Sequence, residues 1–188
     1  MNHSRTKEST MKNSLIVLII CTSSTALGQC DQYFKKYESM ISKTSYYLGK
    51  DMRLADAGTI AGSLDLYTDD DKVYLQTLLP VADETCWDME NSSITFLLAS
   101  GAQVMLKLTD VNDECNDISP SGTFLISPEN MTKLENSEAR SFIIKYQAYS
   151  EEINIPAEVK DDMMDPDIKA YPQKQLKESM TCLKELGF

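Results

Sequence analysis

The chain has 188 residues with 29 acidic and 18 basic side chains, which gives a formal net charge of −11 at pH 7. A surface with this excess of negative charge repels phosphate backbones and anionic lipid head groups. We therefore expect no nucleic-acid partner. The length is sufficient for one domain with a core of its own.

The start of the chain has the three-part order of an export signal. A basic stretch precedes an apolar run over 15–21, and a stretch of small residues then ends at Gly28. The apolar run is too short to span a bilayer, and no later stretch of the sequence predicts a transmembrane segment. We predict a cleaved signal peptide over 1–28, with a true start at Met1 or Met11, and a periplasmic or secreted product.

Residues 29–188 form the predicted mature domain, a single acidic domain with disulfides. The signal peptide carries three basic side chains and one acidic one, so its removal takes away a net charge of +2 and leaves about −13. A charge of this size keeps a protein soluble. It also suits a basic protein partner or a bound cation.

Four of the five cysteines lie in the predicted mature domain. An even number in an exported chain favours two disulfides over metal ligands or free thiols. Cys86 and Cys115 flank a predicted hairpin at similar distances, so we expect them to pair and to close a loop of about thirty residues. Cys30 then pairs with Cys182, although the sequence leaves the other two connectivities open. Gln29 argues against a lipid anchor on Cys30, because a small residue is needed there.

The first half of the mature chain is patterned mainly as strands. Residues 33–48 are ambiguous between helix and strand, and we predict a short turn followed by a strand near 40–48. Alternating apolar residues then predict a hairpin over 60–79, with its turn at Asp69-Asp70-Asp71 and its end at Pro80.

A second hairpin is predicted over 94–108, with its turn at Ser100-Gly101. A strand follows over 123–127. Ser127 then caps a short helix that begins at Pro128 and runs to about Glu138.

The end of the chain combines a strong strand with an amphipathic helix. The strand is predicted over 141–149, and Glu151-Glu152 is interpreted as the turn that follows it. Residues 173–186 place an apolar stripe on one side of a helix that ends at Gly187. The sequence therefore predicts one α+β domain, mainly an antiparallel β-sheet of hairpins, covered by a C-terminal amphipathic helix.

The mature domain has no histidine, because the one histidine of the chain, His3, lies in the predicted signal peptide. This excludes Ser-His and Cys-His nucleophiles and zinc sites that use histidine. The chain also lacks a glycine-rich phosphate loop. We therefore predict that the protein is not an enzyme.

Carboxylates are the one abundant reactive type. Asp110, Asn112, Asp113 and Asp117 come nearest to the alternating ligand pattern of a calcium loop. The central glycine and the closing bidentate glutamate of such a loop are missing, so we expect a solvated turn and no cofactor. Calcium is the ion that this stretch suits best.

Three aromatic residues are candidates for binding. Trp87, the lone tryptophan, follows Cys86. If it packs on a disulfide, it belongs to the core, and if it is exposed, it is an anchor for a binding partner. Tyr46 and Tyr47 belong to a group of tyrosines near the mature N-terminus. This group suits a sugar or a protein, or else lies half-buried in a sheet.

Four features, in this order along the chain, carry a family resemblance. They are the strand Lys43-Thr44-Ser45-Tyr46-Tyr47, the Ser100-Gly101 hairpin between Cys86 and Cys115, the strand Ile143-Ile144-Lys145-Tyr146 and the helix at Cys182-Leu183. In these features the chain resembles small uncharacterised exported proteins of Gram-negative bacteria. That group has no assigned activity, so the resemblance implies location and fold only.

The residues together indicate an exported protein without catalytic activity that binds a protein partner. One concrete form is an immunity or inhibitor protein, whose negative charge speeds association with a basic toxin or enzyme. The alternative is a calcium-dependent carbohydrate binder or a small hydrolase that uses the acidic loops. The sequence does not fix the oligomeric state.

Overall fold

The computed structural model describes residues 30–38, 45–54, 62–78, 87–111, 121–146, 150–160 and 169–188. The strands in these ranges are β1 (Phe34–Glu38), β2 (Ser45–Gly49), β3 (Met52–Arg53), β4 (Ser63–Asp69), β5 (Lys72–Leu78), β6 (Ser93–Leu98), β7 (Gln103–Val111), β8 (Ser121–Ile126), β9 (Ala139–Lys145), β10 (Ser150–Asn154), β11 (Val159–Lys160) and β12 (Lys169–Ala170). The helices are α1 (Pro128–Asn136) and α2 (Pro172–Glu185). The predicted signal peptide, residues 1–28, lies outside the described residues.

Ten of these strands form one open antiparallel sheet. Nine lie side by side in the order β1-β2-β4-β5-β8-β7-β6-β9-β10, and β3 pairs with β4. Strands β11 and β12 form a separate pair. Helix α2 packs against α1, β3 and β9. The prediction of an α+β fold, mainly antiparallel sheet covered by a C-terminal helix, is confirmed.

Strand β7 belongs to two parts of the sheet. Residues 103–107 of β7 pair with β6, whereas residues 108–111 lie beside β8. We call β1–β5 and β8 the first leaf, and β6, β9 and β10 the second leaf. Helix α1 leads from β8 to β9. The two leaves are therefore joined through β7 in the sheet and through α1 in the chain.

Each leaf buries one face. Along β4, β5 and β6 buried side chains alternate with more exposed ones, as an amphipathic strand requires. We call the buried face the inner face and the opposite one the outer face. Residues from both leaves and both helices share one core, whose fully buried members include Leu75, Phe96, Phe124, Phe142, Leu134 and Leu176. The inner face is therefore closed by the two helices.

The two predicted helices are present. Ser127 caps α1, because its hydroxyl accepts a hydrogen bond from the backbone N–H of Asn130 at 3.3 Å, and Pro128 follows at the first helical position. Gly187 ends α2 with a φ of +99°, in the left-handed region that favours glycine. The stripe predicted for α2 is buried and consists of Leu176, Met180 and Leu183. Neither helix is long and apolar enough to cross a membrane.

The two predicted hairpins are present as β4–β5 and β6–β7. The first turns at Asp70-Asp71, and Asp70 has a φ of 51°, a left-handed conformation that aspartate tolerates better than most residues. The second turns through Gly101, whose φ is 84°.

Two stretches contradict the prediction, and the short strands β3, β11 and β12 lie where no strand is predicted. Residues 34–38, interpreted as the approach to a first strand, form the edge strand β1. Of this strand only Phe34 is buried, so no alternating apolar pattern reveals it. Glu151 and Glu152, interpreted as a turn, lie inside β10 and pair with β9. The carboxylate of Glu152 accepts a hydrogen bond from the hydroxyl of Ser141 at 2.7 Å, which accommodates the acid within the sheet.

A disulfide joins Cys30 to Cys182, with the two Cα atoms 5.5 Å apart. It links the residues before β1 to the buried side of α2. It confirms one of the two predicted pairs. Cys86 and Cys115 lie outside the described residues, and their pairing stays a prediction.

We expect the double substitution Cys30→Ala, Cys182→Ala to lower the free energy of unfolding by about 3–5 kcal/mol, because the bridge restricts a long loop in the unfolded chain. The two cysteines are 152 residues apart in sequence. Urea denaturation of wild type and variant under oxidising conditions measures the difference. A loss below about 1 kcal/mol would show that the bridge does not constrain the unfolded state in this way.

Candidate functional site

The outer face of the first leaf holds most of the well-exposed large hydrophobic side chains. Eight such side chains occur in the described ranges, and five of them lie on this face. The five, with exposed fractions from 37% to 47%, are Tyr37, Tyr46, Leu48, Leu78 and Leu125. Single exposed apolar residues are ordinary on any protein, whereas a concentration on one face is typical of interaction sites and makes this face the candidate site.

Four residues of this face form one row across the leaf. Leu48 of β2 pairs with Tyr67 of β4, and Tyr67 pairs with Tyr74 of β5. Tyr74 in turn pairs with Leu125 of β8. Partners in an antiparallel register point to the same side of the sheet. The row therefore crosses four strands with apolar or aromatic side chains only.

Two pairs of tyrosine rings stack on this surface. The centroids of Tyr67 and Tyr74 are 5.1 Å apart and their planes differ by 17°. Those of Tyr37 and Tyr46 are 5.4 Å apart with planes at 13°. Rings that stack hold each other in place, which lowers the entropy cost of using them in an interface. We call the surface formed by Tyr37, Tyr46, Leu48, Tyr67, Tyr74 and Leu125 the tyrosine face.

The side chain of Tyr67 extends over β5, because its hydroxyl forms a hydrogen bond with the side chain of Thr123 on β8, the strand beyond. Burial raises the pKa of Tyr67, and the hydrogen bond with Thr123 opposes this rise. Neighbouring Tyr74, Asp110 and Asp69 raise the pKa further. The tyrosine hydroxyl therefore lies in a locally negative environment.

A bulge in β7 places Asp110 on this face. Leu108 pairs with Phe124, but Asp110, two residues later, pairs with the adjacent Thr123. Thr109 is thus the extra residue, and its hydroxyl donates a hydrogen bond to the carbonyl of Thr123 at 3.0 Å. Without the extra residue, alternation would put Asp110 on the same face as Leu108, in the core.

A second carboxylate, that of Asp65, lies on the same side of β4 as Tyr67. Its pKa is raised to about 6, first because the side chain is half-buried and second because Asp51 lies nearby, while a hydrogen bond with Ser63 opposes the rise. Asp65, Asp69 and Asp110 together give the polar surroundings of the tyrosine face a negative character.

The three aromatic candidates from the sequence fall on different sides of the sheet. Tyr46 belongs to the tyrosine face. Tyr47 points the other way, is half-buried, and packs edge-on against Phe188 with ring centroids 5.8 Å apart. Trp87 also lies on the core side. Adjacent residues of a strand point to opposite faces, which separates Tyr46 from Tyr47.

Trp87 packs between the two leaves. Its ring centroid is 5.5 Å from that of Phe124 and 4.7 Å from that of Tyr146. A Cβ atom at Gly122 would come within 3.0 Å of the indole, so glycine allows the ring to lie against β8. Among the described residues, none forms a hydrogen bond with the buried indole Nε1. These contacts place Trp87 against the core.

Of the four calcium candidates, one lies among the described residues. Asp110 is exposed on the outer face, and Asn112, Asp113 and Asp117 lie outside the described residues. Within the described ranges, one group of potential metal ligands comes together, formed by Cys30, Cys182 and Glu185. Its two sulfur atoms belong to the disulfide, which leaves no thiolate to bind a metal.

Sequence reasoning did not select Tyr67, Tyr74 or Leu125. They could have been found from their positions, because they alternate along their strands with the apolar residues that form the core. In such strands the other face normally carries polar side chains, so a tyrosine or leucine at those positions is the informative departure.

Comparison of the chain with models of protein families, with curated proteins and with solved structures finds no match. The described residues define an antiparallel α+β fold whose exposed sheet face is aromatic. Its function is therefore inferred from its own geometry.

We expect Asp65→Asn to be more stable than wild type by about 1 kcal/mol at neutral pH, a modest gain because contact with water screens the charge. The pKa of Asp65 is about 6 when folded and 3.8 ordinarily. The protonated carboxyl of Asp65 therefore contributes fully to the free energy of unfolding of the wild type below pH 3.8, and this contribution is lost as the pH rises through about 6. Denaturation at about pH 4 and about pH 7.5 should show the gain only at the higher pH.

The matched control is Asp71→Asn, which makes the same change of charge in the exposed turn after β4. An equal gain in both variants would assign the effect to overall charge, and no gain in Asp65→Asn would contradict the raised pKa.

We expect Trp87→Phe to change the free energy of unfolding by less than about 1 kcal/mol, because removal of a buried N–H that no described residue pairs with offsets the loss of ring contacts. Trp87→Ala should cost about 2–4 kcal/mol through the cavity that it leaves. Urea denaturation followed by far-ultraviolet circular dichroism measures both variants. Equal losses in the two would contradict a packing role for the ring.

Proposed function

We propose that the protein is an exported binding protein without catalytic activity, which holds a basic protein partner on its tyrosine face. An inhibitor or immunity protein is the concrete form of this function. The observation that carries the proposal is the concentration of exposed tyrosine and leucine side chains on the outer face of the first leaf.

The composition of the tyrosine face is that of a protein interface. Tyrosine is enriched where proteins meet, and a few well-packed aromatic residues commonly supply most of the binding energy. The stacked pair of Tyr67 and Tyr74 lies at the centre of the row, flanked by Leu48 and Leu125. This arrangement supports a central anchor of aromatic rings with an aliphatic surround.

The charge around this face supports a basic partner. Asp69 and Asp110 lie close enough to Tyr67 to affect its ionisation, and Asp65 lies beside it on the same strand. Lysines also lie on this side, namely Lys72 opposite Asp69, Lys35 opposite Leu48, and Lys107 on β7 next to the Leu108–Phe124 pair, and the three aspartates lie nearer to Tyr67 along the register. The predicted mature charge of about −13 makes a second copy of the chain a poor occupant, because like charges repel.

The charge around the rings favours a basic protein over a sugar. A sugar and a protein side chain can both stack on tyrosine, but a neutral sugar carries no positive charge for Asp69 and Asp110 to attract. The competing hypothesis is a calcium-dependent carbohydrate binder. Thermal melting with and without calcium separates the two, because an ion bound to the native state must raise the melting temperature.

The test is capture of partners from a native extract on the immobilised protein, with wild type, Tyr67→Ala, Tyr74→Ala and Met105→Ala compared in parallel. Met105 is a matched control, because it is 57% exposed on the outer side of β7, away from the first leaf. A protein that wild type and the control retain is then identified and purified, and its Kd is measured. We expect each tyrosine variant to raise the Kd by roughly 10-fold or more.

Salt provides a second readout on the same purified pair. Raising the salt concentration from about 50 mM to 500 mM should slow association strongly and change dissociation little, because surface charges act mainly on the rate of encounter. The proposal would be contradicted if the partner bound the tyrosine variants as tightly as wild type. It would also be contradicted if the association rate did not depend on salt concentration.

A further inference from the structure

We propose that the centre of the tyrosine face is a site for an arginine side chain of the partner, whose guanidinium group packs against the Tyr67–Tyr74 pair and binds the carboxylates of Asp110 and Asp69. This inference rests on the proposed function and adds the chemical group that is recognised. It is drawn from the arrangement of rings, hydroxyls and carboxylates at one place on the sheet.

The two carboxylates approach the same tyrosine from different strands. Asp69 follows Tyr67 by two residues on β4 and so points to the same side of the sheet. Asp110 comes from β7, two strands beyond β5, and the charge of each carboxylate acts on the hydroxyl of Tyr67. A cation placed over the rings therefore has a negative group within reach on two sides.

The bulge in β7 is what supplies the second carboxylate. Thr109 is the extra residue, and it turns Asp110 outward next to Thr123 instead of inward with Leu108. Bulges are used in proteins to aim a side chain at a binding site. One oxygen of Asp110 accepts a hydrogen bond from the backbone N–H of Val111 at 2.9 Å, and within the described ranges no residue donates to the other carboxylate oxygen.

The rings are held in position before any partner arrives. The hydroxyl of Tyr67 bonds to Thr123, and the ring stacks on Tyr74. A side chain that is already fixed loses little entropy when a ligand binds to it. The exposed parts of these two half-buried rings, with carboxylates at their margin, match the two preferences of a guanidinium group.

Arginine fits this arrangement better than lysine. Its guanidinium group is planar, stacks on aromatic rings, and offers several N–H donors in a rigid fork to a carboxylate. A lysine ammonium is more strongly hydrated and offers a point charge only. The site should therefore distinguish the two cations although both carry the same charge.

The test uses three small probes, N-acetylarginine amide, N-acetyllysine amide and N-acetylcitrulline amide, titrated into the isotope-labelled protein and followed by amide NMR spectra. Citrulline has the shape of arginine without its charge. We expect the arginine probe to shift resonances of β4, β5 and the bulge with a Kd on the order of 10 mM. The lysine probe should bind at least about threefold more weakly, and citrulline should produce no shifts there.

Asp110→Asn is the informative variant, because the side chain is exposed and the change is conservative in size. We expect it to weaken binding of the arginine probe about fivefold. Glu129→Gln is the matched control with the same change of charge, on α1 at the other side of the sheet, and it should leave the affinity unchanged. Equal effects of the two variants, or equal affinities for arginine and lysine, would overturn the inference.

The two proposals fail in different ways. If a purified partner depends on Tyr67 and Tyr74 while the arginine probe leaves these residues undisturbed, the binding surface stands and the arginine site is overturned. If the arginine probe binds as expected, replacement of single arginines of the partner by lysine identifies the one that occupies the site. The partner variant that lacks this arginine should bind with a higher Kd, and combining it with Asp110→Asn in this protein should raise the Kd little further.

Discussion

The single extra residue in β7 is the constraint on which the rest of the structure depends. Before the bulge, Leu106 and Leu108 point into the core; after it, Val111 does so and Asp110 points out. One strand can therefore contribute to both leaves while its two halves keep apolar side chains inside. The hydroxyl of Thr109 fixes the bulge through its bond to β8.

The two sides of the sheet separate the core from the proposed binding surface. The inner side holds the helices, the disulfide and the lone tryptophan, while the outer side of the first leaf exposes tyrosines that no described element covers. Hairpins β4–β5 and β6–β7 and helices α1 and α2 were predictable, because their buried residues recur at a fixed period. Strand β1 was not, because an edge strand with polar side chains lacks that period.

The candidate site was predictable only in part. Tyr46 stood out as one of a group of nearby tyrosines, whereas Tyr67 and Tyr74 are ordinary residues for a strand when each is considered alone. Their significance comes from register, which aligns them with Leu48 and Leu125 from strands far away in sequence. A bulge is equally hidden from the sequence, because Asp110 simply continues the alternate positions that include Leu108.

The bridge between Cys30 and Cys182 has a consequence for biogenesis. In the proposed export the polypeptide crosses the membrane N-terminus first, so Cys30 emerges long before Cys182, with Cys86 and Cys115 in between. Oxidation in order of appearance would join Cys30 to the wrong neighbour. Correct pairing thus requires either that oxidation waits until the C-terminal helix has docked, or that an isomerase exchanges the early bond.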